Sequence, residues 1–99
     1  MKYPAIQNYI NGKFVPASVS RTMNVVSPLD GNLLSTVPMS SSKDLDDAVK
    51  AAQAAFPGWS KTPIKERVQV FFRYKFLLEK HLKELDELCS EENGKTYGE

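Results

Sequence analysis

The longest run of helical periodicity lies between Thr62 and Lys95, and its two halves are patterned differently. In the first half Val70, Phe71, Tyr74, Leu77 and Leu78 make one broad apolar stripe, and Val68, Phe72 and Phe76 make a second on another side. In the second half Leu82, Leu85, Leu88 and Cys89 mark a single stripe beside Lys80, Lys83, Glu84, Asp86 and Glu87. A helix apolar on nearly all sides needs more than one neighbour, a demand that a chain of 99 residues can barely meet. The apolar face shifts near Lys80-His81-Leu82, so the spacing predicts one long helix or a bent pair over 63–93, stopped at Asn93-Gly94.

Upstream, the periodicity changes to that of strands. Gln7 to Ile10 and Lys13 to Val15 flank Asn11-Gly12, a pair that accepts positive φ at both turn positions and so predicts a short hairpin. A second hairpin is predicted from Thr22–Val26 and Asn32–Pro38, turned by Ser27-Pro28-Leu29-Asp30-Gly31. Ser40-Ser41-Ser42 then opens a helix. Ser41 with Asp44 three residues on resembles a capping box, and Leu45, Ala48, Val49, Ala52, Ala55 and Phe56 follow at helical spacing. Pro57-Gly58 is expected to stop this helix at 41–56, with Trp59 folding back as an apolar cap, and Thr62-Pro63 to cap and open the next. The fold class is therefore an α+β segment: two hairpins within 1–38, then two or three helices.

Composition narrows the function classes. Hydrophobic residues at 41% and charged residues at 25% describe an ordinary soluble domain. A formal charge of +1 supplies no footprint for nucleic acid or an anionic membrane, and no apolar run reaches the length of a membrane span. A single cysteine excludes an internal disulfide framework and, with no signal-peptide core after Met1, suits a cytoplasmic protein. The basic residues of the long run alternate with Glu66, Glu79, Glu84 and Glu87, which reads as a solvated face rather than a nucleic-acid surface.

The inventory also limits the chemistry. One histidine and one cysteine cannot assemble a zinc or iron–sulfur centre within the chain. His81 and Cys89 are roughly 12 Å apart along a helix, too far for a nucleophile pair, and Cys89 reads as a small core residue. Gly12, Gly31, Gly58, Gly94 and Gly98 never form a phosphate-binding pattern. One feature breaks a local rule: Glu91 and Glu92 fall in the last helical turn, where the dipole is negative. Either both are hydrated with Lys95 offsetting them, or a carboxylate beside free helix carbonyls holds a hard cation.

The order of short motifs is more specific than any one of them. Residues 9–15 (YINGKFV), 25–34 (VVSPLDGNLL), 44–59 (DLDDAVKAAQAAFPGW), Arg67 and 91–95 (EENGK) follow one another at a spacing that resembles the N-terminal part of the NAD(P)-dependent aldehyde dehydrogenase family. The likeness extends over essentially the whole chain. Within the family the run FPGWSKTPIKERVQVFFRYKFLLEKHLKEL is most similar to the CoA-acylating methylmalonate-semialdehyde branch, with the succinate-semialdehyde and betaine-aldehyde branches sharing much of the framework.

That resemblance implies the α/β fold of the family, with 1–99 forming the first part of its cofactor-binding domain. It implies a parent enzyme that oxidises a small-molecule aldehyde with NAD, and CoA as a possible co-substrate. The cofactor turn, nucleophilic cysteine and oligomerisation strands of such enzymes lie further along, so no catalytic or cofactor-binding residue is expected here and the segment alone should be inactive. The resemblance further implies a monovalent-cation site at the carbonyls of Val25 and Val26 and the acid Glu92, with Ser27 and Glu92 standing where asparagine and aspartate are commoner. The Val68, Phe72 and Phe76 side departs from the family's small or polar residues, which predicts a partner chain, an added contact or self-association there. The rival reading is a freestanding helical interaction module that binds through Phe71, Phe72 and Phe76.

Overall fold

A computed structural model describes residues 1–96, so Tyr97, Gly98 and Glu99 lie outside the described residues. The elements run β1 (Asn8–Ile10), β2 (Lys13–Val15), β3 (Thr22–Val26), β4 (Leu33–Pro38), α1 (Ser42–Lys61), α2 (Ile64–Lys80) and α3 (Leu82–Asn93). β1 pairs antiparallel with β2 through a tight turn in which Asn11 and Gly12 have φ of 53° and 76°, the values that a two-residue hairpin requires. Tyr9 faces Phe14 directly across the pair, with ring centroids 4.9 Å apart.

β3 and β4 form the second antiparallel pair, and its register shifts between Val25 and Val26. Val25 lies opposite Ser35 and Val26 opposite Leu33, which leaves Leu34 as the extra residue of a bulge. The bulge defeats the usual alternation of faces: Leu34 and Ser35 are both buried, at 7% and 5% exposure. Residues 2–6 run alongside β4 in the same direction. The Tyr3 and Ile6 amides donate to the carbonyls of Leu34 and Thr36, both at 2.8 Å, and the Ser35 hydroxyl donates to Pro4 O at 2.7 Å. Single-sequence patterning gave no sign of this extra edge.

The start of α1 follows its capping box. Ser41 Oγ accepts from the Asp44 amide, while the Asp44 carboxylate accepts from the Ser41 amide at 2.9 Å and from the Ser18 amide at 3.0 Å. The Ser41 backbone N–H, and then the Ser18 donors, hold the Asp44 carboxyl below the usual carboxylate range. The expected stop at Pro57-Gly58 is not where the helix ends. α1 continues to Lys61, because Pro57 forfeits one backbone bond while its φ remains helical. Ser60 and Thr62 hydroxyls donate back to the Pro57 and Gly58 carbonyls, both at 3.0 Å, and satisfy that last turn. Trp59 is consequently a residue of the helix rather than a cap folded over it.

The true stop is Pro63, which holds Thr62 in an extended conformation (ψ 129°). Thr62 closes α1 instead of capping α2, and Pro63 precedes α2 with no side-chain cap. The break at His81 (φ −105°, ψ 17°) separates α2 from α3 at the place where the apolar face shifts. Gly94, at φ 72°, ends α3 in the left-handed conformation.

The interior of this arrangement is small. Among the described residues Leu34 is the one buried apolar side chain, and the other buried groups are Ser27, Ser35 and Asp44. The accessible surface is 8200 Å², against roughly 5,700 Å² for a folded monomer of this mass. The radius of gyration is 17.2 Å, against about 13 Å for an independent domain of 100 residues. The excess sits on the helices. α2 buries no residue, and Phe71, Phe72 and Phe76 are 64%, 59% and 63% exposed. Cys89, expected in a core, is exposed too. Among the described residues no helix is long and apolar enough to cross a membrane.

Candidate functional site

The polar contacts that span the most sequence, from Lys2 and Tyr3 to Glu91, lie where the C-terminal half of α3 meets β4 and residues 2–6. A cleft of about 190 Å³ opens there. The bulge supplies its floor, with Val25, Leu34 and Ser35; α3 supplies Leu88, Glu91 and Glu92; residues 3–6 supply Tyr3, Pro4 and Ile6. Amphipathic spacing explains the α3 wall, since Leu88 and Glu92 are one helical turn apart and share a face.

Two of the three residues expected to hold a cation, Val25 and Glu92, therefore line one cleft. Val26 is outside that lining and half exposed, since successive residues of a strand point to opposite sides. Among the described residues no group of three or more carboxylate, imidazole or thiol side chains is placed to ligate a metal. Any cation here would depend on backbone carbonyls with Glu92 as the acid.

The neighbouring acid has a different role. Glu91 Oε1 accepts from the Lys2 ammonium at 2.7 Å, and Oε2 accepts from the Tyr3 hydroxyl at 2.9 Å. The Lys2 ammonium, followed by the Tyr3 hydroxyl, holds the Glu91 carboxyl below its ordinary range, and Asp30 opposes them weakly. The Lys2 and Tyr3 values are both raised, chiefly by their bonds to Glu91. The counter-charge expected from Lys95 thus comes from Lys2, 89 positions away in sequence. No local pattern could have signalled a partner at that separation, and both Lys2 and Tyr3 were missed as site residues.

The turn beside the cleft is rigidly bonded. Ser27, where asparagine is commoner in the resemblance, is buried and its Oγ accepts from the Leu29 amide at 3.2 Å. Its carbonyl accepts from the Gly31 amide at 2.8 Å, and both Asp30 oxygens accept from Asn32, each at 2.9 Å. The α3 terminus rests on this turn: a Cβ built on Gly94 would lie 3.4 Å from Pro28 Cγ.

Gly12, Gly31 and Gly58 have nothing within 4 Å of where a side chain would stand. Gly98 is outside the described residues.

The profile of the aldehyde dehydrogenase family matches residues 14–99. A malonate-semialdehyde dehydrogenase 1 of Geobacillus thermodenitrificans (strain NG80-2) is 45% identical over 94 residues, which cover 95% of this chain and 19% of that relative. A solved structure assigned as a methylmalonate-semialdehyde dehydrogenase, from Sinorhizobium meliloti 1021 in complex with NAD, superposes with a TM-score of 0.92 at 37% identity. That match covers 99% of this chain and 20% of the other. A Mycobacterium tuberculosis aldehyde dehydrogenase in complex with NAD+ superposes with a TM-score of 0.89 at 30% identity, over 99% of this chain and 21% of the other. The chain thus spans about a fifth of the length of the relatives it matches. The motif order of the sequence, the pair of hairpins followed by three helices, and these matches agree: the chain belongs to the aldehyde dehydrogenase family.

Proposed function

We propose that this chain serves as the framework segment of an NAD-dependent aldehyde dehydrogenase that oxidises a malonate-type semialdehyde in the cytoplasm. The observation that carries this reading is an incomplete apolar interior on a family fold: α2 buries no residue, while its neighbours in the family are about five times longer. Covering α2 is work for polypeptide outside this chain. The buried Nε of Arg67, which has no acceptor among the described residues, points the same way, since a buried donor left unpaired costs about 1–3 kcal/mol. NAD supplies the hydride acceptor of such an oxidation. The residues of this chain shape the hairpins, the β4–α3 cleft and the helix faces on which the rest of the enzyme builds.

The semialdehyde class rests on the names of the relatives, and CoA release of the product is the finer part of the proposal. The full-length protein is expected to raise NADH absorbance with malonate or methylmalonate semialdehyde and NAD, faster with CoA present, while the 99-residue chain gives a flat trace. Free acid formed with no response to CoA would remove the CoA-acylating part. No turnover of either semialdehyde by the full-length protein would remove the substrate class.

The monovalent-cation site at Val25, Val26 and Glu92 belongs to the same reading, supported by the cleft that Val25 and Glu92 share. Anomalous diffraction from full-length crystals grown with rubidium or thallium is expected to show a peak between the β3 carbonyls and Glu92. An empty position would end this part.

A further inference from the structure

Residues 2–6 precede the region that the family profile matches, yet they make the closest polar contacts to α3. Along β4 they are held by the Tyr3 and Ile6 amides and by the Ser35 hydroxyl. Against α3 the side-chain hydrogen bonds of this segment all meet at one carboxylate, Glu91, whose two oxygens are divided between Lys2 and Tyr3. Tyr3, Pro4 and Ile6 are also one wall of the cleft whose other walls include Leu34 and Glu92.

We propose that residues 2–6 are a detachable strap that closes the β4–α3 cleft, with Glu91 as its latch. A carboxylate that accepts one charged and one neutral donor, each to a different oxygen, fixes both the height and the rotation of the strap over the cleft. Without that carboxylate the strap keeps its bonds to an edge strand of a two-stranded sheet, which open readily on their own. The latch also explains why an acid stands in the last turn of α3 against the helix dipole: its counter-charge is on the strap. The inference does not depend on the substrate or on a cation in the cleft.

The charged and titratable groups around the latch are Lys2 and Tyr3 on the strap, Asp30 on the β3–β4 turn and Glu92 beside Glu91 on α3.

Amide hydrogen exchange on the full-length protein tests this. In Glu91→Gln, protection of the Tyr3 and Ile6 amides should fall about tenfold at neutral pH, while the Ser27 and Met39 amides of the β3–β4 pair keep theirs. Tyr3→Phe, which keeps the ion pair, should lower the same two amides by a smaller factor, about three- to fivefold. Unaltered protection at Tyr3 and Ile6 in both variants would overturn the latch. So would a loss shared equally with Ser27 and Met39, which would make Glu91 a general support of the sheet.

Discussion

A 99-residue polypeptide carrying Phe72→Glu and Phe76→Glu is expected to remain monomeric in light scattering at concentrations where the unchanged chain associates. The two rings are one helical turn apart on α2 and stand 59% and 63% exposed, next to Val68. Completing the burial of each ring stabilises an assembly by about 1–2 kcal/mol, so their joint loss should weaken association by roughly 100-fold. Lys50→Glu on α1 changes the net charge by the same two units as the two phenylalanine substitutions together and should leave association as it was. Equal association of the Phe72/Phe76 variant and the unchanged chain would show that the exposed stripe is not the contact. In the full-length protein the same substitutions test whether this side of α2 is covered, since buried glutamates would lower its yield of folded protein.

The second large effect is expected at Gly94. Its φ of 72° lies in the region that a Cβ disfavours, and a Cβ there would stand 3.4 Å from Pro28 Cγ and 3.9 Å from Leu29 Cδ2. Those distances are ordinary contact, so the cost lies in the backbone: Gly94→Val, a β-branched residue at positive φ, should destabilise the β3–β4 turn and the α3 terminus by about 2 kcal/mol in urea unfolding. Gly94→Asn should lose only about half as much, because asparagine tolerates the left-handed conformation. If the two variants are equally stable, the backbone conformation is not what the glycine supplies. The effect bears on the site directly, as Gly94 follows Glu91 and Glu92 and sets the pose of the helix end over the cleft.

Local physical signals made much of the fold legible. The Asn11-Gly12 hairpin, the Ser41–Asp44 capping box, the break near His81 and the stop at Gly94 each depend on residues a few positions apart. The error at Pro57-Gly58 has the same origin. Proline and glycine are strong local breakers, but hydroxyls three and four positions on repaired the turn, and the restriction that Pro63 places on Thr62 ended the helix instead. The site was harder to read. Resemblance led to Val25 and Glu92, which share a cleft, and to Val26, which does not line it. Lys2 and Tyr3 stayed hidden because their partner is at the far end of the chain, and the Leu34 bulge because registers are set by pairing between strands.

The distance between Lys2 and Glu91 also has a consequence for the order of events during synthesis. Both hairpins and all three helices are built from neighbours in sequence, so each can take shape soon after it leaves the ribosome. The strap must wait. Its latch residue is among the last to emerge of those described here, and closing so long a loop is entropically unfavourable until the intervening elements are in place. Residues 2–6 are thus made well before Glu91 yet settle only after it, so the β4–α3 cleft is the last part of this segment to close.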